Sequence, residues 1–110
     1  MIAERIRERY LRDSLPLRLG GLAADLGRVA SCAADDRDRQ ALGSLLEEAK
    51  WFVEWAAPEA PGDIQAQLAE LQITLALWHR RWLSGVTELV IREEAKAWSD
   101  RLLALSGLLS

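Results

Sequence analysis

The chain has 110 residues, of which half are hydrophobic and 28% are charged, and its formal net charge is −3. That length suits one domain with its own hydrophobic core, and this balance is typical of neither a disordered chain nor a membrane span. The small negative charge argues against the broad basic surface that nucleic-acid binding requires. The single cysteine, Cys32, excludes an internal disulfide and a multi-cysteine metal site.

The first twelve residues are rich in charge. Five of residues 4–9 are charged, where a secretory signal would need an apolar segment, so we expect a cytoplasmic protein. Its four arginines are nearly balanced by Glu4, Glu8 and the following Asp13, so we expect no nucleic-acid or membrane role for it. Ile6 and Tyr10, four residues apart, fit a short helical arm over residues 3–12, but the sequence equally allows a loose arm.

A first long helix is predicted over about 15–34. Ser14 can cap it, and Pro16 fits its first turn, where the missing N–H costs little. Apolar residues then recur at alternating steps of four and three, which places them on one helical face: Leu15, Leu19, Leu22, Leu26, Val29 and Ala33. Beside this face lies a stripe of small residues: Gly20, Ala24, Gly27 and Ser31. We expect the indole of Trp98 to fill the space near Gly27.

A second helix is predicted over about 36–57, with Asp35 and Asp36 as candidate caps. Its apolar stripe consists of Leu42, Leu45, Ala49, Phe52 and Ala56. Leu46 and Val53 lie beside this stripe. Pro58 and Pro61 cannot continue the helical hydrogen bonds, so they end the helix.

Two further helices are predicted over about 62–83 and 87–106. The stripe of the third consists of Ile64, Leu68, Leu71, Leu75, Trp78 and Trp82. The break at Ser84 and Gly85 precedes a fourth stripe of Ile91, Ala95, Trp98, Leu102 and Leu105. Gly107 is placed to end the fourth helix and to bring Leu108 against Leu103.

These segments predict one all-α domain over residues 1–110. Connections of about two to six residues favour antiparallel neighbours, because a short link cannot carry the chain back along a helix. We therefore expect a four-helix up-and-down antiparallel bundle with a possible short N-terminal helical arm.

The candidate functional residues are aromatic or basic side chains on the second and third helices: Trp51, Trp55, Trp78, His79, Arg80, Arg81 and Trp82. The five tryptophans are spread along the bundle axis, which favours packing over a single ligand cage. A di-iron bundle would need two Glu-x-x-His elements, and this chain has one histidine. No phosphate loop, nucleophile elbow or catalytic pairing stands out, so we expect no metal, no cofactor and no enzyme activity.

Three stretches resemble parts of small uncharacterised cyanobacterial helical-bundle proteins. They are residues 48–55 (EAKWFVEW), 71–79 (LQITLALWH) and 98–109 (WSDRLLALSGLL). The resemblance implies a bacterial cytosolic protein of helical fold, and it supplies no site residue.

Two functional hypotheses remain open. The first is a protein–protein interaction or oligomerisation module, with a homodimer as one form of it, because apolar residues exceed what four stripes need: Leu46, Val53, Ile73, Leu77, Leu89 and Val90, with Trp51 and Trp55 at the flanks. The alternative is a small-molecule or anion site between helices near Trp78, His79 and Trp82.

Overall fold

The computed structural model describes residues 2–33, 36–84 and 89–107. These residues form five helices and no strand, which confirms the prediction of an all-α protein. The helices are α1 (Ile2–Arg12), α2 (Leu15–Cys32), α3 (Arg39–Ala56), α4 (Gly62–Ser84) and α5 (Leu89–Ser106). Short 3₁₀ turns, Asp36–Asp38 and Ala57–Glu59, flank α3. The N-terminal segment, for which the sequence left two possibilities, is helix α1.

The helix ends follow the proline and glycine signals more closely than the capping signals. Ser14 precedes α2 but its side chain makes no capping hydrogen bond, and Pro16 occupies the first turn. At the end of α5, Gly107 has a φ of 74°, the left-handed conformation that terminates helices. The predicted contact of Leu108 with Leu103 and the predicted break around Gly85 lie outside the described residues.

Helix α2 packs most extensively against α5 and next against α3. A Cβ atom at Gly27 would lie 3.7 Å from Ser99 Oγ, and Ser99 Oγ donates a hydrogen bond of 2.7 Å to the Ala23 carbonyl. Trp98 is buried, but the side chain opposite Gly27 is Ser99, so the prediction of an indole there is wrong. The two helices approach closely enough for a small polar side chain to bridge them.

The core line of α3 is rotated from the predicted stripe. Leu46 and Val53, which we expected beside the core, are almost fully buried, whereas Leu45 and Phe52 are half-buried. Because α3 packs against both α2 and α4, its buried face is centred between them. Tyr10 of α1 stacks on Phe52 and covers part of the remaining face.

Polar side chains link helices α4 and α5. Trp78 Nε1 donates to Glu94 Oε2 over 3.2 Å, and farther along Arg101 bonds to Gln67 at 2.7 Å and to Glu70 at 3.3 Å. The inner face of α4 is apolar and fully buried: Leu68, Leu71, Leu75 and Trp78. Within the described ranges, no helix has the combination of length and hydropathy that crossing a bilayer requires.

Candidate functional site

The predicted residues Trp78 and Trp82 are packing elements between helices. Trp78 is fully buried, and its indole N–H bonds to Glu94. Trp82 lies across Gly43 of α3, where an added Cβ would come within 2.5 Å of Trp82 Cζ2. The indole N–H of Trp82 donates to the Arg39 carbonyl at 2.7 Å, and the Arg39 guanidinium lies 5.2 Å from the ring centre. A tryptophan ring does pack against a glycine in this protein, but at Gly43 rather than at Gly27.

His79 also joins α3 to α4. Its Nδ1 lies 2.8 Å from Lys50 Nζ, and its ring meets the Trp82 ring edge-on at 5.6 Å. Since an ammonium group only donates hydrogen bonds, Nδ1 accepts and the imidazole is neutral. Burial, reinforced by the Lys50 charge, lowers the pKa of His79. The structure therefore brings His79 and Trp82 together in a neutral, interhelical contact.

The neighbouring arginines do not converge on His79. Arg81 approaches Glu94 at 3.7 Å across the α4–α5 boundary, and both side chains are more than two-fifths exposed. Arg80 is exposed on the outer side of α4. An exposed ion pair of this kind contributes little to stability, so these cations are available to solvent rather than gathered around one anion position.

Trp51 and Trp55 belong to an aromatic cluster that also includes Tyr10 and Phe52. Tyr10 and Phe52 stack at 4.2 Å, and Trp55 lies 6.1 Å from Tyr10, 6.0 Å from Phe52 and 6.0 Å from Trp51. The Tyr10 hydroxyl donates to the Arg18 carbonyl at 3.0 Å, and burial raises the pKa of Tyr10 well above its ordinary value. The cluster fastens the C-terminal end of α1 to α2 and α3.

A groove between α2 and α3, which we call the α2–α3 trough, combines apolar and charged side chains. It has a volume of about 650 Å³, and its apolar lining comes from Ile6, Cys32, Ala41, Leu45 and Trp51. An adjoining groove of about 300 Å³ shares Ile6, Arg28 and Glu48 with it and contains Asp25. The trough therefore has an apolar body and a charged end. Cys32 lies in its lining, half-buried, and burial raises the pKa of that thiol.

Asp25 and Glu48 form a carboxyl pair at the charged end. Asp25 is only 2% exposed; its Oδ1 accepts a hydrogen bond of 2.7 Å from Arg28, while its Oδ2 is buried and receives no hydrogen bond from a protein donor. Burial first, and then the adjacent Glu48 carboxyl, raise the pKa of Asp25 to about 8 against the lowering effect of Arg28. A carboxyl group with so high a pKa keeps its proton at neutral pH, and that proton can bridge Asp25 and Glu48.

Sequence reasoning missed this pair, although α2 carries a signal for it. Asp25 stands three residues after Leu22 and four before Val29, so it occupies a position on the core face of the apolar stripe. An acidic residue in such a position is expensive to bury unless it is paired or protonated. Glu48 gives no comparable signal, because it lies at the edge of α3. Among the described residues, no group of three His, Cys, Asp or Glu side chains is placed to hold a metal ion.

Comparison with known proteins adds no assignment to this geometry. No family model, curated protein or solved structure matches the chain. The resemblance to small cyanobacterial helical-bundle proteins therefore stays a prediction from the sequence.

Proposed function

We propose that this protein is a non-enzymatic interaction module that self-associates through the solvent side of α4. We call this surface the outer α4 face: Ala66, Ala69, Ile73, Ala76 and Leu77. The observation that carries the proposal is the exposure of Ile73 and Leu77, at 66% and 51%, one helical turn apart and opposite the buried stripe of the same helix. A helix that is apolar on both sides is typical of one that has neighbours on both sides.

The shape of the outer α4 face supports a second copy of this chain as its binding partner. The bulky residues Ile73 and Leu77 follow the small residues Ala66 and Ala69 along α4. An antiparallel pairing of two α4 helices therefore places the bulky side chains of each copy against the small side chains of the other. Ala66 and Ala69 also border a groove of about 630 Å³ between α3 and α4, whose apolar lining includes Ala57 and Pro58. That groove gives a bulky side chain of the second copy a place to pack. An isologous contact of this kind closes as a symmetric dimer.

Charge supports the same arrangement. The N-terminal half of α4 carries the exposed acids Asp63 and Glu70, whereas the C-terminal half carries the exposed bases Arg80 and Arg81. In an antiparallel pair, the acidic half of each helix lies beside the basic half of the other. Complementary charges at a rim favour one orientation of the partners over others.

The finer architecture belongs to the same proposal: α2–α5 form a four-helix up-and-down antiparallel bundle, with α1 as an arm, in a cytoplasmic protein. Side-chain contacts support opposite directions for α4 and α5, because Glu94 meets Trp78 whereas the later Arg101 meets the earlier Gln67 and Glu70. The short turn Ala57–Glu59 between α3 and α4 supports opposite directions for those two helices.

The alternative function, a small-molecule or anion site near Trp78, His79 and Trp82, has less support. Trp78 is fully buried, and Trp82 is packed on Gly43. Both indoles therefore already have partners within the chain.

Sedimentation equilibrium of the wild type and of Leu77→Glu tests the proposal. Burying a carboxylate in an apolar interface is costly, so we expect the variant to dissociate at least about tenfold more readily. Leu17→Glu is the matched control, because Leu17 is also 51% exposed but lies on α2. The control should self-associate as the wild type does.

Charge reversal tests the orientation. Asp63→Lys and Arg80→Glu should each weaken association, and the double variant should recover part of the loss, because the reversed charges again face opposite ones. A wild type that stays monomeric up to about millimolar concentration would contradict the proposal. Equal weakening by Leu17→Glu and Leu77→Glu would place the interface away from the outer α4 face.

A further inference from the structure

We propose that the α2–α3 trough binds a small primary amine with an apolar body, whose ammonium group bonds to the buried Asp25 carboxyl beside Glu48. The site lies on the side of α3 that faces α2, whereas α4 packs along the other edge of α3. This inference is independent of self-association through the outer α4 face.

The first step is the buried oxygen Oδ2 of Asp25. Asp25 Oδ1 already accepts from Arg28, whereas Oδ2 is buried and has no partner other than the proton that Asp25 itself carries. Asp25 also lines the smaller groove that opens into the trough through Ile6, Arg28 and Glu48. Once the Asp25 proton leaves, Oδ2 is a buried carboxylate oxygen without a donor, which favours a ligand that brings an N–H group to it.

The second step is the charge of the surroundings. Ionisable groups from α1, α2 and α3 and from the α1–α2 link face the smaller groove: Arg9, Tyr10, Asp13, Asp25, Arg28 and Glu48. Among them the carboxylates outnumber the arginines, so a cation or a proton is needed for neutrality. The charged residues of α5 that pack near α2, Arg92, Lys96 and Asp100, line a separate groove on another side of that helix. An anionic ligand would meet repulsion from Asp25 and Glu48.

The third step is the apolar body. The apolar lining of the trough includes Ile6, Leu45 and the half-buried Trp51, and its volume of about 650 Å³ suits a small aromatic or aliphatic group. Ligand pockets commonly combine an apolar lining with a few polar groups that fix orientation. The ammonium must be primary or secondary, because a quaternary ammonium has no N–H to donate to Asp25 Oδ2.

The exchange of a proton for a cation gives the proposal a specific signature. An alkylammonium ion enters already charged, and the proton held between Asp25 and Glu48 leaves to the buffer, so charge balances. Binding should therefore release up to one proton per amine and should tighten as the pH rises towards neutrality. Amine binding without any change in the shared proton would overturn the proposed mechanism.

Calorimetric titration with phenylbutylamine, in two buffers of different ionisation enthalpy, measures both affinity and proton release. We expect a dissociation constant of about 0.1 to 1 mM, typical of a small ligand with one charged contact. Phenylbutyltrimethylammonium and phenylbutanol should each bind at least about tenfold more weakly, since the first lacks N–H donors and the second lacks charge.

Two variants and one control locate the site. Asp25→Asn and Glu48→Gln each remove the shared proton, so both should abolish proton release and weaken phenylbutylamine binding about tenfold or more. Glu47→Gln removes an exposed carboxylate from the same trough, outside the pair, and should keep affinity within about twofold. Glu48 is only partly buried, so its variant tests the same pair with less disturbance of the core.

Two outcomes overturn the inference: no binding of phenylbutylamine by folded protein up to about 10 mM, or equal weakening by Glu47→Gln and Glu48→Gln. Repeating the titration on Leu77→Glu separates this inference from the proposed function. A variant that is monomeric but binds the amine as the wild type does shows that the two sites are independent.

Discussion

Replacing Asp25 with asparagine should flatten the dependence of the protein's stability on pH. Asparagine has nearly the same shape, its carbonyl can accept from Arg28, and its amide can donate to the Glu48 carboxylate without any shared proton. In the wild type, the pKa of Asp25 rises from its ordinary value of 3.8 to about 8 on folding. The folded state therefore holds a proton that the unfolded state releases throughout this interval.

The sign and size follow from proton linkage. A carboxyl group whose pKa is raised by folding stabilises the fold fully below its unfolded pKa, and that stability is lost as the pH rises towards its folded pKa. The slope is about 1.4 kcal/mol per pH unit, so between about pH 5 and pH 7 the contribution of Asp25 falls by about 3 kcal/mol. Asp25→Asn has no such proton to lose and should gain stability over the wild type by that amount across the interval.

Urea unfolding followed by helical circular dichroism, at intervals from about pH 5 to pH 8, measures the difference in free energy between the two proteins. Other ionisable groups are common to both chains, so their contributions largely cancel in the difference. Glu93→Gln, which removes an exposed carboxylate from α5, serves as the control and should run parallel to the wild type. Parallel curves for Asp25→Asn and the wild type would refute the reasoning.

Other predictions test the helix contacts. Gly43→Ala pushes a Cβ against the Trp82 ring and should destabilise the protein by about 1 to 3 kcal/mol despite better helix propensity, whereas Gly27→Ala should be neutral or stabilising by up to about 1 kcal/mol. Equal urea midpoints for the two alanine variants would contradict the close packing at Gly43. Folding raises the pKa of Tyr10, the only tyrosine, so the stability that its buried hydroxyl gives is present below its ordinary pKa and is lost as the pH rises above it. Tyrosinate absorbance should therefore rise only as the protein unfolds. Tyrosinate formation in the folded chain would contradict this. Arg18→Met removes three hydrogen bonds of a nearly buried guanidinium and should lower the unfolding free energy by about 3 kcal/mol in urea; a loss well under 1 kcal/mol would show those bonds to be dispensable.

Apolar periodicity predicted the helices well because each stripe records the face that its helix buries. Leu68, Leu71, Leu75 and Trp78 are the clearest example, since all four are predicted from spacing and all four are fully buried. Apolar periodicity was a weaker guide to α3, where Leu46 and Val53 belong to the core. A helix with neighbours on two sides has a broad apolar arc, and spacing alone does not locate the centre of that arc.

The candidate site was harder to predict, because it depends on which residues distant in sequence meet. Asp25 could have been singled out as an acid on a core face, but its pairing with Glu48 requires the register of α2 against α3. The contact of Trp82 with Gly43 likewise depends on the register of α3 against α4. Hydrophobic periodicity reports burial and carries little information about register, so it does not predict which side chains pair across helices.

Tyr10 has a consequence for the order in which the chain folds. Its ring stacks on Phe52 of α3 and its hydroxyl bonds to the backbone of Arg18 in α2, so its docking surface exists only after those two helices have paired. We therefore expect α1, although it precedes both helices in the chain, to dock only after α2 and α3 have paired. Its amide hydrogens should exchange with solvent through a local opening that leaves the amides of α2 and α5 protected.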